Sequence, residues 1–353
     1  MELKKLVRGK TALTWGMLLF TVFFYSLLFF SNRIADKNTG PTEISSKTAE
    51  MGEKLTTEKM AQKEERFKAN LLAHPRLASV FSLLSLFVLF LSLAVNVHWI
   101  RRISQKKPLI EGPIYFPDTS WGIFEVFQVF VGLFFVEACF LFVELLLSPW
   151  AHWSAAAKDF LIVFNGFARD VIIAFWVIFL VTRQFKEPLS TLGLTRENFF
   201  KHVRTGFLGY LGVIPFLILL LAGMAALAEA LSYKPPAQAV VEIYFKESTQ
   251  KFIGFFTFFV AIVGPVIEEI FFRGFAYTAA RRRFGPLAAM VLTAFVFSAM
   301  HLSLIAFVPI FFLGIFLATL YEKTGSLVPS MTAHVLHNLI MVCLTLGFKQ
   351  LSV

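Results

Sequence analysis

The sequence predicts an all-α fold, a polytopic transmembrane helical bundle of eight or nine spans. Three observations predict it. Of 353 residues, 57% are hydrophobic and only 16% charged, with 44 Phe, whereas soluble domains carry roughly 45 to 50% apolar and about 25% charged residues. The apolar residues gather in runs of about 20, the length at which a helix crosses the hydrocarbon core. Glutamates, an arginine and histidines interrupt the late runs, and an ionisable group inside a membrane is by default a functional one.

The runs, in order, are Thr11 to Phe30, Leu77 to Ile100, Ile123 to Leu147, Phe160 to Val181, Phe207 to Ala228, Phe252 to Phe272, Leu287 to Met300, Leu302 to Leu320 and Val328 to Leu346. The seventh is short and nearly fused to the eighth, which is why the count is eight or nine. The first has a basic flank like a signal peptide. It is too long for the usual apolar core of one, and Ser31-Asn32-Arg33 follows it instead of a small-residue cleavage site, so it reads as a retained anchor.

The net charge of +10 is spent at the ends of these runs. Lys4, Lys5, Arg8 and Lys10, then Arg101, Arg102, Lys106 and Lys107, then Arg281, Arg282 and Arg283 mark cytoplasmic ends and place the N-terminus in the cytoplasm. Such placement indicates a lipid partner, and no basic and aromatic stripe suits nucleic acid. The compact loops fit a bacterial cytoplasmic membrane most simply. The Ser31 to Arg76 loop is long and nearly balanced in sign, as an outside segment can be, and its Thr42 to Leu72 stretch is expected to form a solvated helix. Cys139 and Cys343 lie far apart in apolar runs, which excludes a disulfide framework or a thiolate metal cluster.

Three regions are expected: residues 1–110, a transmembrane hairpin with its long loop; 111–158, a connection and one span; and 159–353, the core that carries chemistry. In the third and fourth spans Glu125, Glu137, Glu144, Asn165, Arg169 and Asp170 form a polar set, expected to tie helices together by hydrogen bonds. The sixth span holds the densest charge, in Val263-Gly264-Pro265-Val266-Ile267-Glu268-Glu269-Ile270-Phe271-Phe272-Arg273-Gly274. Glu269 and Arg273 are four apart and can pair. Glu268 points about 100° away, and a carboxylate beside water is a general base. Arg273 lies toward the cytoplasmic end, where reaching the interface is cheap, so a supporting role is expected of it.

His301 closes the seventh run, one turn after Phe297, whose ring can wall off a site. His334 and Asn338 open the ninth and share a face, offering two donors to one point, as a developing oxyanion requires. His337 reads as a packing residue. The set Glu268-Glu269-x-x-x-Arg273, Phe297-x-x-x-His301 and His334-x-x-x-Asn338, with Leu189-Ser190-Thr191-Leu192-Gly193-Leu194 before it, resembles the CPBP (CAAX protease and bacteriocin-processing, or Abi) family of intramembrane endopeptidases. The resemblance covers Asp159 to the C-terminus and implies a bundle that encloses an intramembrane catalytic cavity. It implies that Glu268 activates the attacking water, that His301 helps hold it, and that His334 with Asn338 stabilises the oxyanion, with Glu269 and Arg273 in support.

Whether a metal takes part stays open at this level. Glu268, His301 and His334 make a three-ligand set of the kind that holds catalytic zinc, while a metal-free glutamate base fits the same residues, and the compact His-Glu-x-x-His helix is absent. The expected substrate is a membrane-associated protein or peptide; prenylated C-terminal peptides are the family's best-known substrates and are not extended to this chain by sequence. The rival reading is a non-catalytic membrane scaffold or bacteriocin-immunity protein on the same helices.

Overall fold

The computed structural model describes residues 2–38, 62, 65–110, 119–148, 150, 154–233, 239–246 and 249–352, and every regular element among them is helical. The helices are α1 (Glu2–Asn38), α2 (Pro75–Ser104), α3 (Ile123–Leu147), α4 (Ala155–Phe179), α5 (Phe199–Ala230), α6 (Ala239–Lys246), α7 (Gln250–Phe284), α8 (Pro286–Ala299), α9 (Leu304–Thr324) and α10 (Leu327–Ser352). Among the described residues, eight helices are long and apolar enough to cross a membrane; α8 has 14 residues, and at 1.5 Å per residue falls short of the roughly 30 Å hydrocarbon core. The protein is thus an integral, multi-pass membrane protein. Most of the expected helix over residues 42–72 lies outside the described residues, of which 65–73 are helical.

The chain divides into two compact units. One comprises Met1–Ala78, Gln128–Arg169 and Leu346–Val353. Its helices are joined by the polar groups that interrupt the early spans: the Gln128 amide donates to the Thr14 hydroxyl at 2.7 Å, the Asn165 amide donates to Glu144, and Arg169 pairs with Glu137 at 3.1 Å. In hydrocarbon such groups find partners on neighbouring helices because no water competes for them. At the chain's end, the Asn70 amide donates to the Leu351 carbonyl at 2.9 Å and the Phe67 and Phe348 rings meet at 4.9 Å.

The other unit, Ser79–Phe127 and Asp170–Thr345, contains every residue of the three motifs. Its apolar centre joins Tyr210, Val213 and Leu217 of α5 to Leu313, Leu317 and Leu320 of α9 and Ala333 of α10. Close approach depends on small residues, as is general between membrane helices. A Cβ on Gly314 of α9 would stand 2.9 Å from the Ala294 Cβ of α8, and one on Gly206 of α5 would collide with the Pro329 carbonyl of α10. The Leu189–Leu192 turn ends on Gly193 at φ +80°, where the Tyr321 ring occupies the space of a side chain; the Gly193 carbonyl then accepts from the Leu327 N–H at 2.9 Å and seats the start of α10.

Helix α7 changes register twice. Gln250–Phe258, Gly264–Glu269 and Thr278–Phe284 are α-helical, and Phe259–Val263 and Ile270–Tyr277 are π-helical. Pro265 explains the first change, since a proline removes a backbone donor and crowds the carbonyls of the preceding turn. Single π turns inside α-helices recur at functional sites, and these two bracket Glu268 and Glu269.

Candidate active site

In the first π turn the Gly264 N–H reaches back five residues to the Phe259 carbonyl. In that register the Val260 carbonyl is aimed at residue 265, a proline without an N–H. The Asn338 side-chain amide of α10 donates to that Val260 carbonyl at 2.9 Å. One proline in α7 thus creates the acceptor that positions Asn338, and leaves its second amide N–H for another partner. Asn338→Leu is expected to strand the carbonyl in an apolar interior and cost about 1–3 kcal/mol of stability, read from unfolding in mixed micelles; an unchanged unfolding free energy would refute this role.

The two adjacent glutamates have opposite surroundings. Glu269 is fully buried, and its Oε1 accepts from Arg273 Nη1 at 2.7 Å and from His334 Nδ1 at 2.9 Å. Glu268, about 100° round the helix, keeps a third of its side chain exposed, with Oε2 3.7 Å from His334 Nε2. His334, 3% exposed, therefore bridges the pair, one ring nitrogen toward each carboxylate. Because a carboxylate paired with a guanidinium only accepts, the His334 Nδ1 carries a proton.

Arg273 does not reach for the interface as its place in the sequence suggested. Its guanidinium is sealed at 1% exposure, donates to the Gly314 carbonyl at 3.2 Å and lies 4.6 Å from the centre of the Phe297 ring. The ion pair with Glu269, the carbonyl and the cation–π contact together offset the cost of burying the charge. The absence of a side chain at Gly314, which lets α8 and α9 close up, sets the neighbourhood of that carbonyl.

Phe297 is the hub of this arrangement. Its ring meets Phe272 at 5.1 Å, His301 at 4.9 Å and His334 at 5.7 Å, each edge to face, and it is 1% exposed. His301 sits in the short turn between α8 and α9, and its Nδ1 bonds to the Phe297 carbonyl at 2.8 Å. A carbonyl only accepts, so the proton is on Nδ1, and Nε2 of the neutral ring is an acceptor. From outside, the Trp121 indole donates to the Phe275 carbonyl at 3.0 Å and stacks on the Phe275 ring, bracing the second π segment. At its end, Glu322 of α9 accepts from Tyr277 at 2.7 Å and from Arg281 at 2.7 and 3.1 Å.

Sequence reasoning brought Glu268, Glu269, Arg273, Phe297, His301, His334 and Asn338 forward, and all seven lie in this one unit. It missed the Val260 carbonyl, the Gly314 carbonyl and Tyr210, whose hydroxyl is 3.0 Å from His337 Nδ1. The offset of five from Val260 to Pro265 was a visible signal for the first, once a π turn is considered. For a metal, the donor geometry is the relevant test: among the described residues no group of three or more His, Cys, Asp or Glu side chains is arranged to hold one. Glu268, His301 and His334 are therefore not a ready metal set.

No curated protein and no solved structure matches the chain. Residues 250–340, about a quarter of the chain, match the family described as type II CAAX prenyl endopeptidase Rce1-like, and that stretch holds all seven motif residues named above. Carried on membrane-spanning helices, residues 250–340 are thus similar to the CAAX-protease family of intramembrane peptidases, and the match supports that family for this part of the chain.

Proposed function

We propose that the protein hydrolyses a peptide bond of a membrane-associated protein or peptide, with Glu268 as the general base. The observation that carries this reading is the division between the adjacent glutamates: Glu269 is spent on Arg273 and His334, whereas Glu268 remains partly exposed. Glu268 takes one proton from a water while the neutral His301 Nε2 accepts its other O–H and orients it. The hydroxide adds to the peptide carbonyl, and the oxyanion accepts from His334 Nε2–H and from the second Asn338 N–H. On collapse the C–N bond breaks and Glu268 returns its proton to the leaving amine, so one water is consumed and the enzyme is unchanged.

With Nδ1–H directed at Glu269, donation from Nε2 to the oxyanion uses the doubly protonated ring. Residues 159–353 would be the catalytic unit, and the N-terminus would face the cytoplasm.

Mapping new N-termini in a solubilised membrane proteome treated with the purified protein in lipid tests the reading. Wild type should generate defined new termini, with or without a zinc chelator, and so should a chain lacking Met1 to Arg76; Glu268→Ala should generate none. Loss on chelation would point to a metal, and absence of cleavage by wild type would return the protein to the scaffold or immunity class. A farnesylated peptide ending in Cys-aliphatic-aliphatic-X is the natural first single probe, from the matched family's description.

A further inference from the structure

We propose that His337, locked by Tyr210, is a substrate-binding residue that donates from Nε2 to a backbone carbonyl of the bound peptide beside the scissile bond. The inference rests on the endopeptidase reading and extends it to a residue outside the three motifs.

The Tyr210 hydroxyl lies 3.0 Å from His337 Nδ1, with the two rings edge to face at 5.8 Å. Tyr210 is 3% exposed within the α5–α9–α10 core. His337 Nδ1 is the hydroxyl's partner among the described residues. Were Nδ1 the donor, the buried O–H would have no acceptor, at a cost comparable to a lost hydrogen bond. The hydroxyl therefore donates, which places the ring proton on Nε2 and makes that atom a donor. The His337 ring is half-buried and not sealed, and its Nε2 is not one of the buried polar atoms left without a partner.

His337 lies on the stretch of α10 that carries the chemistry. His337 follows His334 by three residues, a step of about 60° and 4.5 Å along α10, and precedes Asn338. It is within electrostatic range of both His334 and His301. A peptide must be extended for its carbonyl to be attacked, and inside a membrane the carbonyls of an extended chain need donors that water and its own helix no longer supply. A neutral N–H three residues after His334 and next to Asn338 meets that need without adding charge.

The test is single-turnover cleavage of the solubilised membrane proteome against rising enzyme concentration, which yields a half-saturating concentration and a maximum rate for each new terminus. His337→Leu should raise the half-saturating concentration roughly tenfold, with the maximum rate kept within about twofold, the size of one lost neutral hydrogen bond. His337→Gln, which restores a donor, should recover most of it. Tyr210→Phe keeps the ring packing, reports even if the leucine variant does not fold, and should raise the same quantity by a few-fold through loss of the fixed tautomer. An unchanged half-saturating concentration in His337→Leu and Tyr210→Phe, with only thermal stability lowered, would overturn the proposal, as would a fall in maximum rate alone. Absence of cleavage by wild type would instead remove the endopeptidase reading on which it stands.

Discussion

Glu268→Gln is expected to slow cleavage by about a thousandfold, in the middle of the range for removal of a general base, while the folded protein stays as stable as wild type. The amide matches the carboxylate in shape, so packing is kept. Stability is spared because Glu268 carries no part of the buried ion pair: a third of its side chain is exposed and its Oε2 lies 3.7 Å from His334 Nε2, beyond a hydrogen bond. What the substitution removes is the ability to take a proton from water and return it to the leaving amine. The measurement is single-turnover rate together with the thermal midpoint on the same lipid-embedded sample.

Arg273→Leu should do the reverse in emphasis, costing about 3–5 kcal/mol of stability, as breaking a buried pair from one side does. It leaves the Glu269 carboxylate sealed without its cation, the Gly314 carbonyl without its donor, and the Phe297 ring without the guanidinium above it. A double variant, Glu269→Gln with Arg273→Leu, removes both charges and should recover much of the loss, because residues in one network are not additive. Cleavage should recover with the folded fraction, because Glu269 and Arg273 act through the packing around His334 and Phe297 and leave Glu268 in place. Unfolding free energy and turnover, measured across the four proteins of this cycle, separate the two effects.

The helices were legible because a membrane imposes one rule on every span, about 20 apolar residues with internally satisfied backbone. The pairing of Glu269 with Arg273 was legible because it is local, a spacing of four on one helix. What could not be read was set by other helices or by changes of register. Arg273 lies toward the cytoplasmic end of its span and looked free to reach the interface, yet Phe297 and the Gly314 carbonyl, 24 and 41 residues further on, enclose it. Asn338 was recognised as a donor aimed at a reacting group, but its bond to Val260 follows from a π turn that a regular helical wheel does not contain. His337 read as packing because its partner Tyr210 is 127 residues away.

The central claim is that two neighbouring glutamates have separate duties, Glu268 in the chemistry and Glu269 in the architecture. Measuring single-turnover rate and thermal midpoint for Glu268→Gln and Glu269→Gln side by side, in the same lipid preparation, tests it most directly. Glu268→Gln is expected to be stable and nearly inactive, and Glu269→Gln to be destabilised, with whatever activity it keeps rising when the folded fraction is restored by lower temperature. A Glu268→Gln protein that cleaves at the wild-type rate, or a Glu269→Gln protein as stable as wild type and inactive, would contradict it.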